Sequence, residues 1–87
     1  MDVQELVTRY EQGHLIALYV AREVMNLIDE ANVDSALSAL PVEVLNHVQE
    51  YVSRYEPGPQ IWIGPNRDPG PERVACMRRW FTSRGVL

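Results

Sequence analysis

The chain contains no lysine. All eight of its basic residues are arginines, set against twelve carboxylates in 87 residues. That absence excludes Schiff-base catalysis, covalent pyridoxal phosphate and the phosphate-gripping lysine of a Walker-type loop. Cysteine is almost missing too. The single Cys76 cannot close a disulfide within the chain, which fits a reducing compartment, and beside Val74 and Met77 it reads as a small buried hydrophobe. Long apolar runs are also lacking. The longest, Leu15 to Ala21, falls far short of the ~20 residues of a membrane-spanning helix. Asp2 and Glu5 stand where a secretion signal has a basic start and an apolar run. The expectation is a cytoplasmic protein that does not engage a membrane.

What is present points to one small folded domain. The hydrophobic fraction is 46%, too high for a disordered chain. A length of 87 residues allows one modest core and not two. Charge is unevenly laid out along this single domain of residues 1–87. Residues 1–56, an acidic helical body, carry ten carboxylates and three arginines. Residues 57–71 are a Pro/Gly-rich extended segment, and 72–85 form a basic C-terminal helix. From residue 57 onward there are five arginines and two carboxylates. Such a layout suits either a nucleic-acid arm or a tail that docks on its own body or on a second copy.

Apolar spacing predicts an all-α fold, a small irregular bundle of four to five short helices with the extended segment before the last one. Val3, Leu6, Val7 and Tyr10 recur at i, i+3, i+4 and i+7, one helical face. Asp2 followed by Glu5 is a capping-box pattern, and Gly13 marks a bend. A second helix is predicted over about His14–Ala31. Ile16, Val20, Val24, Leu27, Ile28 and Ala31 form one stripe, and Leu15, Leu18, Tyr19 and Met25 form another. A helix apolar on two sides is either central to its fold or makes a partner contact.

Asn32 is placed to cap a short third helix with Val33, Ala36, Leu37 and Leu40. Pro41 suits the first position of a fourth helix that ends at Glu56, ahead of Pro57. Its apolar face is Val44, Leu45, Val48, Tyr51, Val52 and Tyr55, and Glu43, His47, Glu50 and Arg54 lie opposite. Residues 57–71 hold five of the six prolines, yet Ile61, Trp62 and Ile63 sit among them. Two readings stay open: an extended stretch anchored across the helices, or a strand over Gln60–Ile63 that needs a partner strand. The last helix, from about Pro71 to Arg84, carries Val74, Met77 and Phe81 on one face with Trp80 at its edge.

No residue set builds a recognisable catalytic centre. Glu11, His14, Glu43, His47 and Glu50 have ligand chemistry, but Gly13 separates the first two and the others face away from the apolar stripe. The serines and threonines sit in no nucleophile elbow. Gly58, Gly64 and Gly70 are flanked by prolines, which lack the amides of a phosphate cradle. Neither an enzyme nor a cofactor or metal is expected. The third and fourth helices superficially pass for a helix-turn-helix, but Glu43, Glu50 and Glu56 outnumber Arg54 on the recognition helix. Arg73, Arg78, Arg79 and Arg84 of the last helix leave a nucleic-acid-linked regulator as the alternative.

Two stretches resemble known families. Leu40-Pro41-Val42-Glu43-Val44-Leu45, with Val74-Ala75-Cys76-Met77-Arg78-Arg79-Trp80 later, resembles the two ends of an F-box. That resemblance implies docking to a ubiquitin-ligase adaptor, but Pro57–Pro71 replaces the middle helices of the motif. Residues 4–28, with Leu6, Tyr10, Gly13 and Val20, resemble the glycine-hinged SHOCT module of bacterial proteins, which implies an interaction or oligomerisation element. Ala17, Leu18 and Tyr19 stand where that module is acidic. Neither motif is specific enough to transfer residue roles.

The expected function is a non-catalytic protein–protein interaction module, a homo-oligomer or a small bacterial accessory subunit. Its expected contact residues are Leu15, Leu18, Tyr19 and Met25 of the second helix, with Trp62 and Trp80 as aromatic anchors.

Overall fold

The computed structural model describes residues 1–56 and 69–87. These form five α-helices and no strand: α1 (Val3–Glu11), α2 (Ala17–Met25), α3 (Val33–Ser38), α4 (Val42–Arg54) and α5 (Pro71–Ser83). The all-α small bundle predicted from apolar spacing is what the chain adopts. The two readings of Gln60–Ile63, and the anchoring role given to Trp62, lie outside the described residues.

Local chemistry sets most helix ends. Asp2 caps α1, its Oδ1 accepting from the Glu5 amide at 2.8 Å. At the other end Gly13 adopts φ +81, the left-handed conformation that costs glycine nothing. The Gly13 amide donates to the Tyr10 carbonyl at 3.0 Å and the His14 amide to the Arg9 carbonyl at 2.9 Å. Those two bonds are a Schellman closure. The same device ends α5, where Gly85 has φ +74 and the Gly85 and Val86 amides reach the Thr82 and Phe81 carbonyls.

The second helix is shorter than the predicted span from His14 to Ala31. Residues 12–14 are taken up by the α1 closure, so α2 starts at Ala17. It stops at Met25 because side chains compete for the backbone beyond. Asn26 Nδ2 donates to the Arg22 carbonyl at 3.1 Å. Asp29 and Asn32 then bracket a turn, each side-chain oxygen accepting from the other's amide at 2.8 Å. Asn32 Nδ2 also donates to the Leu27 carbonyl at 2.8 Å. Asn32 does precede α3 as expected, but its side chain is spent on this turn and makes no capping bond. Pro41 precedes α4 as its cap residue, one position earlier than expected, and α4 ends at Arg54. Gly70 and Pro71 open α5 as the sequence indicates.

The core is built around α2. Val20, Ala21 and Val24 are fully buried, and α2 makes its most extensive pairing with α4 and its next with α1. Val44, Val48 and Val52 of α4 are buried at successive turns, with Leu6 of α1 and Leu37 of α3 closing the same cluster. Helix α5 packs against α4 and α3 through Val74, Met77, Trp80 and Phe81. No polar or charged residue is buried among the described residues.

Candidate interaction surface

The apolar residues that periodicity assigned to a partner contact divide into two groups. Met25 is 2% exposed and Trp80 9% exposed, so both serve the core of their own chain. The reason is that α2 is wedged between α1 and α4, and α5 lies over α3, which covers more of α2 and α5 than one apolar face would need. Leu15 and Tyr19 are half-buried, Leu15 against the core. Leu18 is 41% exposed. Nearby Ile16, in the other apolar stripe of the sequence, is 70% exposed at the start of α2, and Val42 is 75% exposed at the start of α4.

Leu18 stands at the edge of a groove of about 580 Å³ between α2 and α4. The floor is apolar, from Ala21 and Met25. Across from them lie Tyr51 in the last turn of α4 and Tyr55 just beyond its end, their ring centroids 5.8 Å from each other and their planes inclined at 46°. Charged groups of both signs rim it: Arg22, Arg54, Glu50 and Glu56, with His47 between. Arg54 Nη1 meets Glu50 Oε1 at 3.0 Å, an exposed pair four residues apart. Sequence reading placed His47, Glu50 and Arg54 on a solvated face and missed this groove. The clue was Arg22, a cation in the middle of the most apolar helix.

Among the described residues no three His, Cys, Asp or Glu side chains come close enough to hold a metal. Glu11 and His14 are exposed beyond the end of α1 and its closure, and Glu43 is engaged elsewhere, accepting from Tyr10 Oη at 2.6 Å. That bond raises the Tyr10 hydroxyl above its ordinary pKa, because ionising it would lose the hydrogen bond and set two anions together. A second, acidic-rimmed depression of about 490 Å³ adjoins Asp29, Glu30 and Glu72 where α5 begins, with Cys76 at its wall.

The arginines of α5 face the body of the chain. Arg73 Nε donates to the Ile28 carbonyl at 3.1 Å, and Arg78 Nη2 to the Val52 carbonyl at 2.6 Å. Arg79 pairs with Glu30 at 2.9 Å and Arg84 with Asp34 at 2.6 Å. Arg84 also stacks on Trp80, its guanidinium carbon 3.9 Å from the ring centroid. These bonds spread the four cations along the seam between α5 and the body, where a phosphate-tracking groove would gather them on one open face. No helix of the described residues is long and apolar enough to cross a membrane.

No family model, curated protein or solved structure matches the chain.

Proposed function

We propose that this chain is a non-catalytic protein–protein interaction module that works through the outer face of α2 and the adjoining groove. The observation that carries the reading is the position of Leu18. It sits on a helix already buried on its other side, yet remains 41% exposed beside an apolar floor and two tyrosines. Ile16, at 70% exposure, is a second exposed apolar side chain at the start of the same helix. The tyrosines and arginines around Leu18 are residue types enriched in contact cores, and the charged rim fits the polar edge of such a surface. The proposed setting is the cytoplasm, and the proposed role is that of a small accessory subunit.

The test is co-expression of the tagged chain with the products of its neighbouring genes, together with a measurement of self-association. The expected result is at least one complex, with itself or with a neighbour, that Leu18→Asp weakens by about tenfold or more. Because Leu18 lies outside the core, circular dichroism of that variant should match the parent. Complexes that form equally well with Asp at position 18 would refute the assignment of this surface.

A further inference from the structure

We draw no further inference here: the strongest candidate, the groove between α2 and α4 that Leu18 edges, carries none because nothing in the structure shows what covers it.

Discussion

The indole nitrogen of Trp80 and a carboxylate oxygen of Asp34 are separated by 46 residues of chain and by 3.0 Å in space. The same oxygen accepts from Arg84 at 2.6 Å and from Ser38 at 3.4 Å. One exposed aspartate on α3 thus gathers the polar edge of α5, while the ring of Trp80 stays buried below it.

Replacing that aspartate should loosen α5 without disturbing α1 and α2. In a Trp62→Phe background, where Trp80 is the only indole, Asp34→Ala should shift the fluorescence emission to longer wavelength and lower the thermal midpoint. Asp34→Asn keeps an acceptor oxygen and should fall between the two. Identical emission in all three would mean that packing alone holds Trp80.

Acid should act through the same group. The hydrogen bonds from Trp80 and Arg84 hold the Asp34 carboxyl below its ordinary value of 3.8. A depressed folded-state pKa contributes stability that is fully present above the unfolded value and is lost as pH falls through the folded one. The Trp80 signal should therefore be constant down to about pH 4 and change below it. Tyr10 works in the opposite direction. Its pKa is raised above 10.0 by the bond to Glu43, so its contribution is present below pH 10 and is lost as pH rises through the raised value. Absorbance titration should show Tyr10 ionising later in the native chain than in the Glu43→Gln variant.

Salt should separate α5 from the rest. The Arg79–Glu30 and Arg84–Asp34 pairs are largely exposed, and in molar salt the screening length falls to about 3 Å. Hydrogen exchange at high salt should show α5 losing protection while α1 and α2 keep theirs. Equal loss in every helix would contradict this.

The core and the surface of the chain should answer truncation very differently. Phe81 is among the largest fully buried side chains, so Phe81→Ala should cost about 3–5 kcal/mol. For a chain of this size that is a large share of a total stability near 0.05–0.15 kcal/mol per residue. Leu18→Ala should cost only about 0.5–1 kcal/mol, since much of that side chain is already in water. Denaturant titration measures both.

Gly13 offers a test of backbone geometry alone. A methyl group added there meets nothing within 4 Å, so the whole cost of Gly13→Ala is the left-handed conformation at φ +81, about 1–2 kcal/mol. Gly13→Asn should cost less, because asparagine tolerates that region.

Much of this fold can be read in the sequence where a single local rule dominates. Asp2 with Glu5, Gly13, the valines of α4, and Gly70 with Pro71 each declare an end or a face, and the structure follows them. The end of α2 was hidden because the apolar repeat runs on to Ile28. At its end the Asn26 side chain bonds back to the Arg22 carbonyl, and Asp29 and Asn32 then exchange side-chain bonds across a turn, neither of which periodicity registers. Met25 and Trp80 looked available for a partner because sequence shows which faces are apolar but not how many neighbours converge on them. The groove was missed for the converse reason: it is made by two helices meeting, and α4 alone shows His47, Glu50 and Arg54 only as polar positions.

Arg78 ties the end of α4 to the middle of α5. Its guanidinium donates to the Val52 carbonyl in the final turn of α4, where the helix has run out of its own amides and carries partial negative charge. A side chain from α5 thus finishes α4 across a gap of 26 residues. Undocking α5 leaves that carbonyl to water, and the last turn of α4, which bears Tyr51 at the groove, frays with it. Truncating Arg78 should therefore loosen the end of α4 together with α5, although the two lie in different helices.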